Sequence, residues 1–338
     1  MATDLALIPT IPAGLREAAL IGRLIPFIGA GASRLAGCPG WSGFADGALR
    51  QLIDKGNFTY SQLDQIKDLN PRVKLSIAAT IAAETKTPID YDQLLHPRPR
   101  IEHAKGRRLY KSLFAFGNIF VTTNYDRWLD DRIIEPAPGA TPTPSPATPP
   151  SAASMRSIYY VDDFLPAALT QPNTVIHLHG SVADPSRMVL TTHDYIERYA
   201  NDHRTGNAST ENRALTFLEH LFEHHTVLFI GYGLEELEIL EYVILKARRQ
   251  ASAADNEARH FLLQGFFSHE TTLLHNMETY YLRECGIQLI PFLRDHKDRD
   301  QLLDVLEDFA QRVPASAPLV LQNEQVLESL AREMELLP

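Results

Sequence analysis

Four short segments of the chain place glycine and polar side chains directly after apolar runs. They are Gly29-Ala30-Gly31-Ala32-Ser33, Thr122-Thr123-Asn124-Tyr125-Asp126, His177-Leu178-His179-Gly180-Ser181 and Gly231-Tyr232-Gly233. Glycine lets a backbone approach a pyrophosphate closely, and the N-terminus of a following helix adds free N–H donors. Together the four segments predict a site for a phosphate-bearing ligand.

The first and last segments are glycine turns, and each has two interpretations. A dinucleotide fingerprint of the hydride-transfer type would have a third glycine where this chain has Arg34. The first turn alone therefore does not separate a nucleotide site from a plain turn. Gly231-Tyr232-Gly233 is likewise either a structural turn or a second place where a ligand comes close to the backbone.

The second segment carries an amide and a carboxylate, Asn124 and Asp126. An amide orients a water molecule or a ribose hydroxyl without bringing a charge, which gives Asn124 the stronger functional claim. Asp126 precedes a helix that we predict over residues 127–134, and Asp is a frequent N-cap residue. Helix capping and ligand contact are compatible at one turn, so both roles stay open for Asp126.

The third segment holds two histidines that lie two residues apart, so on a strand they would point to the same face. Acid–base chemistry needs one histidine with a pKa near neutrality at a strand end, and His179, next to Gly180, has that place. We expect His177 to be a hydrogen-bonded histidine inside the sheet. A metal site would need a third ligand; His193 is the nearest candidate, and we expect no metal.

The elements around these segments predict an α/β fold, a Rossmann-like and mostly parallel sheet flanked by helices. Apolar runs predict six strands, at residues 24–28, 118–122, 174–179, 226–230, 260–264 and 287–292. Amphipathic spacing predicts helices between several of them, for example at residues 212–224 and 235–249. All four segments then lie at carboxyl ends of strands, where such sheets bind ligands.

The interval between the first two strands predicts an inserted helical module, at about residues 42–116, with helices at 44–54, 71–84 and 105–114. Residues 135–154 are mainly Pro, Ala, Thr and Ser, a composition that cannot bury a core and predicts a disordered loop. We therefore expect one domain at residues 1–312 and a helical tail at residues 313–338. The apolar stripe within 322–337 packs either on this domain or on another copy.

Composition argues against several classes of protein. The chain has 338 residues and a formal net charge of −10, which disfavours a broad nucleic-acid-binding face. Its two cysteines, Cys38 and Cys285, provide neither a disulfide framework nor a CxxC zinc pair, which favours a reducing compartment. With no secretory leader and no apolar run of about 18 residues, we expect a cytoplasmic protein without a membrane span.

The chain resembles the SIR2-like family in motifs that follow the family's order: the first glycine turn, Pro39 and Trp41, Thr-Thr-Asn-Tyr-Asp, His-Leu-His-Gly-Ser and Gly-Tyr-Gly. The nearer likeness is to the bacterial SIR2-like NAD-consuming proteins of anti-phage defence, over about residues 22–309. The resemblance implies that four residues of the first turn cradle the phosphates of NAD: Gly29, Ala30, Gly31 and Ser33.

The resemblance also implies catalytic roles for Asn124 and His179. It implies further contacts with NAD, by Asp126 near the nicotinamide amide and by Gly231 and Tyr232 at a ribose and phosphate. We therefore expect NAD to be bound as a substrate rather than as a hydride carrier.

Two departures narrow the activity that the resemblance implies. The four zinc cysteines of sirtuin deacylases are missing, and Thr123 stands where those enzymes usually have Gln. We expect no zinc and an NAD+ hydrolase that releases nicotinamide and ADP-ribose, depleting NAD+ in anti-phage defence by abortive infection.

Two alternatives stay open beside NAD+ hydrolysis. One is an ADP-ribosyltransferase or protein deacylase; the other is a nucleotide-binding subunit that acts only with a HerA-like ATPase or another partner protein. We also expect a homo-oligomer and no direct contact with nucleic acid or a membrane.

Overall fold

The computed structural model describes residues 5–132, 154–199, 212–232 and 258–316, together with Ile244. Its strands are β1 Leu24–Ile28, β2 Ile119–Thr122, β3 Arg156–Ile158, β4 Thr174–His177, β5 Thr226–Ile230, β6 His260–Phe266 and β7 Ile287–Leu293. They form one parallel sheet in the order β3-β4-β2-β1-β5-β6-β7. The predicted α/β, Rossmann-like sheet flanked by helices is confirmed.

The helices lie between the strands and at both ends of the described chain. The α-helices are α1 Ala13–Leu20, α2 Ala30–Leu35, α3 Trp41–Asp54, α4 Tyr60–Gln65, α5 Pro71–Thr85, α6 Tyr91–Leu95, α7 Ala104–Phe114, α8 Thr192–Tyr199, α9 Arg213–His224, α10 Thr271–Tyr280 and α11 Gln301–Arg312. Short 3-10 turns occupy Arg100–Glu102, Val161–Asp163, Pro166–Thr170, Pro185–Arg187 and Asp298–Asp300, and a π-turn occupies Tyr281–Cys285.

The central strand is β1, and the chain builds the sheet outward from it in two directions. β2, β4 and β3 lie on one side, and β5, β6 and β7 lie on the other. The register places Ile28 beside both Thr122 and Ile230, and Thr122 beside His177. These four strands therefore end at one level, where the strand order reverses, and that is the usual place for a ligand in such sheets.

Each face of the sheet packs on its own hydrophobic core, because side chains alternate along every strand. On one face Phe27, Val121 and Phe229 share a core with residues of α9. On the other face Ile28 and Phe120 share a core with residues of α1, α7 and α11. All of β1 is buried, as is typical of a parallel strand covered on both faces.

A third core lies in the inserted helices, where α3 packs against α5. Phe44 of α3, Leu75 of α5 and Tyr125 of the turn after β2 share this core, so the inserted helices pack directly against the edge where the strands end. α7 instead contributes to the core under the sheet and contacts α11. The module with a core of its own is therefore α3 to α6.

Six of the seven strands lie where the sequence predicts them, with ends that differ by at most two residues. β3 has no sequence prediction, because only one of its three residues is buried. The predicted helix at residues 127–134 is wrong for its described part, which forms turns. The Asp126 carboxylate accepts the N–H of Trp128 across a two-residue turn, and Asp130 is held by His177 at a neighbouring strand.

Some predictions concern residues outside the described ranges. These are the helix at residues 235–249, the loop at 135–154 apart from its last residue, the tail beyond residue 316 and Gly233 of the last glycine turn. In the part of the chain that the structure describes, no helix is both long and apolar enough to cross a membrane.

Candidate active site

The two glycine turns pack against each other at the ends of β1 and β5. The N–H of Gly31 donates to the carbonyl oxygen of Gly231 at 2.7 Å, and the N–H of Gly29 donates to that of Ile230 at 2.8 Å. A Cβ added to Gly29 or Gly31 would lie 2.7 Å from the same Gly231 oxygen, and Gly231 itself has φ +72°. Glycine is therefore required here so that one turn can lie directly on the other.

This packing changes which atoms of the first turn are available to a ligand. The N–H groups of Gly29, Gly31 and Ala32 already donate to protein carbonyls, whereas the N–H of Ala30 has no acceptor within the described residues. Ala30 and Ser33 line the pocket described below. The predicted phosphate cradle thus has two residues in the pocket wall, while Gly29 and Gly31 support the turn from behind.

Tyr232 joins the turn after β5 to the turn after β2. Its hydroxyl shares a hydrogen bond of 2.8 Å with Thr123 Oγ1, and its buried ring packs edge-on against Phe27 and Phe229. This contact uses Thr123, the residue that departs from the sirtuin pattern. The structure therefore gives Gly231 and Tyr232 a scaffold role beside the predicted contact with NAD.

Asn124 is held by four hydrogen bonds that fix both its backbone and its side chain. Its Nδ2 donates to the Gly29 carbonyl oxygen at 3.0 Å and to Ser33 Oγ at 2.8 Å, and its backbone N–H donates to Thr122 Oγ1. Its own carbonyl accepts from His177 Nδ1 at 2.9 Å. A carbonyl oxygen can only accept, so the amide orientation follows, and Oδ1 is the side-chain atom that remains for a ligand.

Ser33 and Asp126 complete this buried network. Ser33 Oγ accepts from Asn124 and donates to Asp126 Oδ2 at 2.5 Å, so its single proton is already used. Both residues are buried, at 5% and 4% exposure, yet both also line the pocket. Burial, and after it the charge of Asp126, raises the pKa of the Cys38 thiol, so Cys38 is a protonated packing residue rather than a nucleophile.

His177 is the hydrogen-bonded histidine that the sequence predicts, and it is fully buried. Its Nδ1 donates to the Asn124 carbonyl, and its Nε2 lies 2.9 Å from Asp130 Oδ1, which also accepts from Ser157 Oγ. Both ring nitrogens face acceptors, so the ring carries both protons. Burial alone would lower the pKa of His177, but Asp130 outweighs burial and raises it.

His179 has the opposite environment. β4 ends at His177, where a turn closes with Gly180 at φ +84°, so the prediction that both histidines lie on the strand is wrong. The His179 ring packs among three tyrosines: Tyr125, Tyr195 and Tyr199. Burial, Arg198 and Arg72 lower its pKa to about 3, which corrects the expectation of a value near neutrality.

A pocket lies between these turns and the inserted module. Its walls are formed by Ala30, Ser33, Cys38, Pro39, Trp41, Phe44, Arg72, Leu95, Thr123, Asn124, Tyr125, Asp126, His179 and Tyr195. Flat aromatic rings, amide and carboxylate groups and one guanidinium suit the bases, ribose hydroxyls and phosphates of a dinucleotide.

Sequence reasoning missed Arg72 and Tyr195 as pocket residues. The Arg72 guanidinium lies 4.1 Å from the centre of the Tyr195 ring, and these two residues come from α5 and α8. No spacing in the chain signals this meeting, because it depends on how α5 of the inserted module packs against α8. Among the described residues, no group of three or more His, Cys, Asp or Glu could hold a metal ion.

The chain was also compared with known proteins. No curated protein gives a match. A family model described as a SIR2-like domain matches residues 118–290, which is just over half of the chain and includes the segments after β2, β4 and β5. Domains of this family bind NAD, so the match indicates NAD-dependent activity in general. The chain therefore belongs to the family of SIR2-like domains.

Proposed function

We propose that this protein is an NAD+ hydrolase that releases nicotinamide and ADP-ribose. The observation that carries the proposal is the placement of Asn124 and His179, which follow adjacent strands and line one pocket together with Arg72. An amide oxygen, a neutral imidazole and a cation are the groups that such a cleavage needs. NAD+ is the substrate, and water is the acceptor.

The bond between nicotinamide and ribose C1′ breaks with its electron pair going to the pyridinium nitrogen, so nicotinamide leaves as a neutral molecule. The ribose becomes an oxocarbenium-like cation, which a fixed polar site stabilises without reorganisation. Asn124 suits this task because its Nδ2 is already fixed by Gly29 and Ser33, which leaves Oδ1 to accept a hydrogen bond. Its acceptor oxygen orients either the attacking water or a ribose hydroxyl.

His179 takes the proton from the water as the new C1′–O bond forms. Its low pKa keeps the ring neutral across the physiological range, so it is always able to accept a proton. A weak base suffices because the oxocarbenium carbon is a strong electrophile. Arg72 faces the same pocket and supplies positive charge for the pyrophosphate, while Asp126 offers its carboxylate to the nicotinamide amide.

The test is to incubate the purified protein with NAD+ alone and to measure nicotinamide and ADP-ribose by chromatography. We expect equal amounts of both products without any added acceptor. Asn124→Ala and His179→Ala should each lower the rate by about 100-fold or more. His193→Ala is the matched control, because this exposed histidine lies on α8 outside the pocket.

Normal turnover by the Asn124 and His179 variants would contradict the proposal. Release of nicotinamide only when a protein or acyl acceptor is added would favour transfer or deacylation. Tight NAD+ binding with turnover only on adding a second chain would favour the partner-dependent subunit. Thermal unfolding of each variant separates loss of chemistry from loss of fold.

We also propose that NAD+ depletion serves anti-phage defence, with restraint by homo-oligomerisation or by a partner such as a HerA-like ATPase. The resemblance of the four ordered motifs supports this role. Phage challenge of cells that carry the wild type or His179→Ala tests it. We expect infected cells to lose NAD+ and phage to be restricted only with the wild type; equal protection by both would contradict the proposal.

A further inference from the structure

A second pocket lies beside the first, against the C-terminal end of α2 and the segment that joins α6 to α7. Leu95 contributes to the walls of both pockets. The segment 37–39 also touches both, since Gly37 lines the second pocket while Cys38 and Pro39 line the first. The two cavities are therefore neighbours, separated by Leu95 and the segment 37–39.

Two histidines line the second pocket, and backbone groups fix the form of each ring. His96 Nε2 accepts the N–H of Arg127 at 3.2 Å, so the ring proton is on Nδ1. His103 Nδ1 accepts the N–H of Gly106 at 3.0 Å, so the ring proton is on Nε2, which lies next to Gly37. Each ring thus keeps one N–H to donate to a ligand.

Two arginines also line this pocket. Arg100 is partly buried and is held in place by the carbonyl of Arg127 and the carboxylate of Asp131. Arg98 is exposed and forms no ion pair within the described residues. None of the nine residues that line the pocket is acidic, and Leu95 and Trp128 provide apolar surface beside the donors.

We propose that this second pocket binds the phosphate group of a small molecule. Guanidinium groups donate strong hydrogen bonds to phosphoryl oxygens, imidazole N–H groups add further donors, and no carboxylate lines the pocket itself. The apolar wall accommodates the group that carries the phosphate. Because Gly37 lies in the same short segment as Cys38 and Pro39, the occupant lies directly behind the wall of the first pocket.

The experiment uses the full chain with ¹⁵N-labelled histidine and inorganic pyrophosphate as the probe, without NAD+. Ring signals in NMR spectra are assigned with His96→Asn, His103→Asn and His179→Asn variants. We expect pyrophosphate to shift the His96 and His103 signals in a saturable way. His179 reports separately on the first pocket, so binding there is recognised by its own signal.

Arg98→Gln is the test variant and Arg50→Gln its matched control, since both arginines are exposed and only Arg98 lines the pocket. We expect about tenfold weaker pyrophosphate binding at His96 and His103 in the first variant and no change in the second. A response by His179 alone, a uniform drift of all histidine signals, or equal binding by both variants would overturn the proposal. Failure of NAD+ hydrolysis leaves this titration unaffected, so the two proposals fail separately.

Discussion

His177 and His179 are two residues apart, yet the protein gives them opposite charge states. His177 meets a carboxylate and a carbonyl, which hold it as an imidazolium inside the sheet. His179 meets tyrosine rings and two arginines, which hold it neutral in the pocket wall. The end of a strand thus separates a histidine that supports the site from one that is able to act in it.

The largest expected effect comes from removing the buried histidine. His177→Ala leaves Asp130 as a buried charge without its partner, which should lower the free energy of unfolding by about 3–5 kcal/mol in urea denaturation. His193→Ala should change it by less than about 0.5 kcal/mol. Replacing Asp130 by Leu in the His177→Ala background should recover part of the loss. Equal stability of the two single variants would contradict the buried ion pair.

The pH dependence of stability should have opposite signs for the two histidines. His177 stabilises fully below its unfolded pKa of about 6.5, and that stability is lost as pH rises through its raised folded pKa. For His179 the folded pKa is about 3, so stability is lost as pH falls below about 6.5. As pH falls from 6.5 to 5, the free energy of unfolding of His179→Gln should therefore rise relative to that of the wild type, by at most about 1.5 kcal/mol. A constant difference between the two in urea denaturation would show that His179 titrates normally.

Arg72→Gln should change NAD+ binding and the pKa of His179, and should leave the His177–Asp130 pair unchanged. We expect KM for NAD+ to rise about tenfold as a charge partner of the phosphates is lost. Removing this cation also raises the pKa of His179, so the acid limb of kcat/KM should move to higher pH. Arg72→Lys should restore the pH profile more fully than the KM, since Lys keeps the charge without the planar guanidinium. An unchanged profile would separate Arg72 from the His179 environment.

The smallest effect should come from Ser157→Ala, which changes the surroundings of the His177–Asp130 pair. This change removes one hydrogen bond to Asp130 and should cost about 1 kcal/mol in thermal or urea unfolding. The rate of nicotinamide release should stay at the wild-type value. A loss of rate at unchanged stability would mean that the His177–Asp130 pair has a direct part in the chemistry.

Much of the fold follows from local sequence signals. Runs such as residues 227–230 are continuously apolar because the strands are covered on both faces, and glycine or polar residues mark where they end. The helix predicted at residues 127–134 fails because Asp130 bonds to His177, 47 positions along the chain. Helix propensity depends on neighbouring residues in the sequence, so it cannot predict such a distant contact.

The site was predictable as a set of turns but not as an arrangement of atoms. Asn124 and His179 could be proposed because they are amide and imidazole groups that follow strands, and both line the pocket. That Asn124 uses both amide protons inside the protein, and that Gly31 serves a neighbouring turn, depends on packing between β1, β2 and β5. The low pKa of His179 depends on Arg72, which only tertiary structure brings near.

The residues that line the pocket come from two parts of the fold, the turns after the strands and the inserted helices. This division has an evolutionary consequence. Asn124 and His179 follow strands whose register is set by the sheet, whereas Trp41, Phe44 and Arg72 come from the inserted helices. The two groups can diverge at different rates, because replacing the inserted helices leaves the strand ends in position. A relative with another insertion would keep the residues at the strand ends while presenting a different pocket wall to its ligand.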